Sequence, residues 1–252
     1  MDKTNKNLLI TFLYLLCFYL AICLFPFSRY IQLEWLSSLI DLLVRTIFLL
    51  WVFFEVKRSK LPFLIKSNRK ISYLFLLPFV ICFLSNFIWA FLSKAEPISN
   101  IAGGVFYIDL ITVIVSASIE ELLFRFLLLS FFLNLFKNKK RGEIIAVLLS
   151  ALSFSLMHCI NFYGNPPLAV VSQLGYTLIL GFILGILSVK YDNLITPIIG
   201  HCLYNIFNMT LFTFFFQIDY SLEYYIYSIV LGVVAVLYSL VIYNIRINKE
   251  KN

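Results

Sequence analysis

The sequence predicts an all-α, polytopic transmembrane bundle of about eight spans with both ends on the cytoplasmic side, N-in and C-in. Of 252 residues, 62% are hydrophobic and only 13% charged, at a mean hydropathy of +0.94, whereas a soluble domain is roughly half apolar and a quarter charged. Apolar runs near the roughly 20 residues that cross a bilayer recur from end to end. Basic residues crowd alternate links between those runs, as positive-inside bias requires. Little chain is left for a soluble part. With no internal repeat, low-complexity tract or Gly/Ser linker, residues 1–252 read as a single membrane domain.

The first run, at about 8–27, is LLITFLYLLCFYLAICLFPF, too long for the core of a secretory signal peptide; Pro26, Phe27, Ser28 and Arg29 close it without a small-residue cleavage site, so it reads as a retained anchor. The second, at 36–56, holds Asp41 and Arg45 four apart, a structural ion pair with substrate gating as the lesser reading. The third is 71–92. The fourth, at 104–135, is IAGGVFYIDLITVIVSASIEELLFRFLLLSFFLNLF in its wider context; it exceeds an upright crossing and is expected to tilt or to break near Gly103 and Gly104. Asp109 falls toward its outer end, Glu120 and Glu121 near its middle. The fifth is 143–162. In the sixth, 168–189, Gly175, Gly181 and Gly185 read as close helix contacts, including a G-x-x-x-G. The seventh and eighth are 194–217 and 223–246. Asn86, Asn161, Gln173 and Asn208 are expected to hydrogen-bond across helices.

The net charge of +7 sits in the links: Lys57, Arg58, Lys60, Lys66, Arg69 and Lys70; Lys137, Lys139, Lys140 and Arg141; and the tail Arg246, Lys249 and Lys251. Eight crossings from a cytoplasmic N-terminus put all three groups inside. No DNA or RNA motif accompanies them, so no nucleic-acid partner is expected. Cys17, Cys23, Cys82, Cys159 and Cys202 all lie within apolar runs and give neither a disulfide framework nor a C-x-x-C metal pattern.

Mid-membrane carboxylates are costly unless paired or wet, and mark function by default. In SASIEELLFR, Glu121 and Arg125 share a helix face and form the natural ion pair, while Glu120 points about 100° away and is left for another partner. The only two histidines also lie in apolar runs: His158 in FSLMH, one turn after Phe154, and His201 in HCLYN, one turn before Asn205. A helix-to-helix hydrogen bond would explain either histidine alone, but leucine packs better and needs no partner. Together these groups support hydrolysis. Glu120 can take a proton from water with His158 holding the same water, and His201 with Asn205 can donate hydrogen bonds to a developing oxyanion, a role worth roughly 3–4 kcal/mol per donor. Two imidazoles and a carboxylate are equally a first shell for a divalent metal such as zinc, with Glu120, His158 and His201 as ligands, and the residues alone do not choose. No H-E-x-x-H and no G-x-S-x-G occurs, and Cys159 and Cys202 diverge from the histidines they follow, leaving no covalent route.

Those three stretches resemble the motifs of the CPBP family, the CAAX proteases and bacteriocin-processing enzymes also grouped as Abi proteins: E-E-x-x-x-R at Glu120, Glu121 and Arg125, F-x-x-x-H at Phe154 and His158, and H-x-x-x-N at His201 and Asn205. The likeness covers about residues 100–210 and spends both histidines and the only glutamate doublet. It implies an intramembrane endopeptidase acting on a membrane-associated peptide or protein. Glu120 and His158 would activate water, His201 and Asn205 would form the oxyanion site, and Glu121, Arg125 and Phe154 would support them. The family is commonly described as metalloproteases, although the metal's part in the chemical step is disputed. Usage of Lys, Asn, Ile and Phe resembles a low-GC Gram-positive bacterium, so a multi-pass place in a bacterial plasma membrane is expected and prenylated substrates are not. Two other classes stay open at this level: a proton- or cation-coupled transporter, and a non-catalytic immunity or scaffold protein of the same fold.

The expected boundaries put His158 near the outer end of its run and His201 about a third of the way in from the inside, too far apart to share one water. A short helical element beginning near Pro197 would bring them closer.

Overall fold

The computed structural model describes residues 3–25, 31–59, 88–96, 103–191, 193–206 and 222–250. Every regular element among them is helical: α1 (Lys3–Leu24), α2 (Glu34–Arg58), α3 (Gly103–Glu121), a π-helical stretch (Leu122–Leu128), α4 (Leu129–Phe136), α5 (Gly142–Met157), a 3₁₀ stretch (His158–Tyr163), α6 (Pro167–Tyr191), α7 (Ile195–Tyr204) and α8 (Leu222–Glu250).

The sequence accounts for most of these ends. The α2 helix carries Glu34 in its first turn and Lys57 and Arg58 in its last, each complementing the helix dipole. Gly142 opens α5 where any Cβ would run into the Phe136 carbonyl, so the turn between α4 and α5 admits only glycine. Pro167 begins α6, where the missing N–H has no intrahelical partner to lose.

Among the described residues, three helical segments are long and apolar enough to cross a membrane: Lys3–Leu24, Gly142–Tyr163 and Pro167–Lys190. That supports a membrane location and corrects the expectation of about eight spans. The orientation drawn from an even number of crossings falls with it. The physical reason is that a hydropathy run does not distinguish lipid-facing from protein-facing residues. In the run at 104–135, every residue from Leu122 to Leu128 is buried inside the protein, Arg125 among them. The run at 36–56 holds the Asp41–Arg45 pair and Glu55 within α2. Of the run at 194–217, the described part is α7, a ten-residue helix, and two further residues to 206. Most of the run at 71–92, with Cys82 and Asn86, lies outside the described residues, as does Asn208.

The largest core cluster gathers around the π-helical stretch, which receives Leu8, Phe12, Leu15 and Tyr19 from α1 and Phe48, Val52 and Val56 from α2. On the other side α5 packs along α6. A Cβ on Gly185 would stand 2.8 Å from Val147 Cγ1, and one on Gly181 would stand 3.1 Å from Ala151 Cα and 3.2 Å from the Phe154 ring. These two glycines therefore set how closely the helices approach. Gly175 meets nothing within 4 Å among the described residues, unlike the close contact read for it from sequence. Asn161 donates to Gln173 at 2.7 Å, tying the 3₁₀ stretch to α6.

Candidate functional site

Glu121 is the last residue of α3, and Arg125 lies within the π-helical stretch that follows. A π turn admits an extra residue per turn and is common at functional sites. Here the surrounding LLFRFLL is buried on every side. Arg125 NH1 stands 3.2 Å from Glu121 Oε1, with both side chains fully buried. This ionic contact is poorly aligned, since none of the guanidinium nitrogens makes a hydrogen bond among the described residues. The cation instead lies over the Phe154 ring, 4.2 Å from its centroid, an arrangement worth about 2 kcal/mol when desolvated.

His201 arrives on α7. Asn193 begins that helix by accepting from the Ile195 N–H at 2.6 Å and the Thr196 N–H at 3.4 Å, a side-chain cap of the freed amides. Pro197 falls in the first turn, so the short element allowed for in the sequence reading is present. The cap and the proline together start α7 close enough to α3 for His201 to meet both glutamates.

His201 Nδ1 donates to Glu121 Oε1 at 2.8 Å. A carboxylate oxygen only accepts, so the Nδ1 proton is fixed there and the other ring nitrogen is turned outward. That nitrogen, Nε2, stands 3.7 Å from Glu120 Oε2. At this separation the two atoms do not hydrogen-bond directly, while a water beside them can reach both at about 2.8 Å. The second Glu120 oxygen, Oε1, accepts from the Tyr19 hydroxyl at 2.8 Å. The result is a buried His/Glu cluster in which Glu121 orients the imidazole and Glu120 faces it.

The structure thus brings Glu120, Glu121, Arg125, Phe154 and His201 into one contact chain. Among the described residues His158 is tied to it through Phe154: their rings meet edge to face at 5.0 Å, and Phe154 also meets His201 edge to face at 5.7 Å. The hydrogen bond of His158 Nδ1 runs to Phe154 O within its own helix, not to Glu120 or His201. Asn205 lies one turn past His201, at the end of α7. Among the described residues, no three His, Cys, Asp or Glu side chains converge closely enough to hold a metal ion. Of the three candidate ligands, Glu120 and His201 face one another, while His158 has its Nδ1 on the Phe154 carbonyl.

One contributor to the site escaped the sequence reading, and another makes a contact beyond the pair expected of it. Tyr19 is one of 15 tyrosines, and nothing in its apolar helix distinguishes it. Arg45 pairs with Asp41 at 2.8 Å and also donates from NH1 to Ser116 Oγ at 3.2 Å, one turn before Glu120, a contact that no local spacing announces.

Neither the curated proteins nor the solved structures give a match to this chain. Residues 102–207, which carry every motif side chain of the cluster, match the model of the family described as type II CAAX prenyl endopeptidase Rce1-like, the CAAX protease family that the three motifs resemble.

Proposed function

We propose that the protein is an intramembrane endopeptidase that hydrolyses a peptide bond in a membrane-associated peptide or protein. The observation that carries the reading is the facing pair Glu120 Oε2 and His201 Nε2 at 3.7 Å, with His201 held from behind by Glu121. A water seated between them gives its proton to Glu120 as its oxygen attacks the scissile carbonyl. Glu120 then returns the proton to the leaving amine, so the carboxylate ends as it began. The buried carboxylate behind the imidazole steadies the charge that His201 gains whenever it shares that proton. His158, beyond Phe154, and Asn205, one turn along α7, hydrogen-bond the developing oxyanion on this reading. Phe154 and Arg125 keep this wall rigid. The match of residues 102–207 to a family of endopeptidases supports the same reaction class. We place the protein, on this reading, as a multi-pass protein of the plasma membrane.

The test compares membrane peptidomes from cells expressing wild type and Glu120→Gln at equal levels. Cleavage products present with wild type and absent with the variant are expected. Identical peptidomes from folded protein would refute the assignment.

A further inference from the structure

The geometry points to Tyr19 as the residue that positions Glu120 for proton transfer, which makes α1, outside the matched segment, part of the site. The inference rests on the proposed hydrolytic role of Glu120. Its phenol donates to Glu120 Oε1 at 2.8 Å, so one carboxylate oxygen is occupied and only Oε2 remains toward His201 Nε2. A carboxylate held by one oxygen has a fixed plane and a defined lone pair for the incoming proton. The donor is itself held. Tyr19 is 3% exposed, and its ring stacks on Phe48 of α2 with centroids 5.9 Å apart and planes 12° from parallel. A buried tyrosine hydroxyl needs a polar partner, and Glu120 is the one the structure gives it. One turn earlier on α3, Ser116 Oγ accepts from Arg45 NH1 at 3.2 Å, so α2 also holds the helix that carries Glu120. Residues 102–207 supply the acid and the imidazole, and the first helix supplies what aims the acid.

The test uses the full-length protein in native membranes with Tyr19→Phe, which removes one oxygen and keeps the ring on Phe48. Two readouts are taken: cleavage of the products defined by the wild-type and Glu120→Gln comparison, and the rate at which dicyclohexylcarbodiimide modifies Glu120, read by peptide mass spectrometry. Loss of a hydrogen bond to a charged group predicts a fall in cleavage of roughly ten- to a hundredfold. It also predicts severalfold faster modification of Glu120, whose Oε1 is no longer covered, at an unchanged unfolding temperature. The exposed Tyr107→Phe is the control and leaves both rates at wild type. Where Tyr19→Phe does not accumulate folded protein, Tyr19→His, which keeps a ring donor, is measured instead and should lie between wild type and Glu120→Gln in cleavage. Wild-type modification and cleavage rates in a folded Tyr19 variant would overturn the inference. If wild-type membranes show no cleavage at all, the modification rate still decides Tyr19, so failure of the hydrolytic reading and failure of this inference give different results.

Discussion

Replacing Glu121 by glutamine keeps the size of the side chain and an acceptor for the His201 N–H but removes the carboxylate in contact with Arg125. Both members of this pair are fully buried and stand 3.2 Å apart, and the guanidinium has no hydrogen bond among the described residues to fall back on. Stranding a buried charge typically costs about 3–5 kcal/mol. The Phe154 face, 4.2 Å from the Arg125 carbon, retains about 2 kcal/mol of attraction in either case, so it does not offset the loss. Against a total stability of about 5–15 kcal/mol, Glu121→Gln should lower the unfolding midpoint sharply. Arg125→Met, which strands the acid instead, should do the same. The double variant removes both charges and should be more stable than either single one, with a coupling of at least about 2 kcal/mol. Thermal unfolding of the four proteins in the same mild detergent measures this cycle. Additive losses, with the double variant the least stable of the set, would show that the two side chains do not neutralise each other and would refute the account of the π-helical stretch.

Gly185→Leu should destabilise by about 1–3 kcal/mol through overpacking against Val147, with partial recovery on adding Val147→Ala; Gly175→Leu, at an open position, should stay within about 0.5 kcal/mol of wild type. Unfolding midpoints distinguish them, and equal effects would remove the close-approach argument. Phe154→Leu should lower both stability and cleavage, since one ring faces Arg125, His158 and His201; wild-type cleavage in that variant would deny Phe154 its part in the wall. With no three ligand side chains converging among the described residues, the purified protein should hold far less than stoichiometric zinc and keep its cleavage after chelation. A tightly held ion that is lost in His201→Ala would reverse that expectation.

Much of the chemistry was legible because it is local. Glu121 and Arg125 meet because they are four apart, and the same spacing rule left Glu120 free to face elsewhere. Asn161 and Gln173 could be marked as cross-helix hydrogen-bonding residues from their polarity alone. The number of spans was not legible in this way, because leucine and phenylalanine enter lipid and protein interior equally well. Residues 122–128 read as membrane and fold as core.

By itself, the sequence determined that the chain is helical and apolar, and which acids and imidazoles are available for chemistry, since composition and i to i+4 spacing are properties of a single helix. Tertiary structure alone decided which groups meet. The Asn193 cap and the start of α7 bring His201, 80 residues away in sequence, onto Glu121, turning an expected oxyanion donor toward the carboxylates. The packing of α1 against the π-helical stretch brings Tyr19 to Glu120 across 101 residues. Contacts of that range depend on where helices pack, and no periodicity within one helix encodes its neighbour.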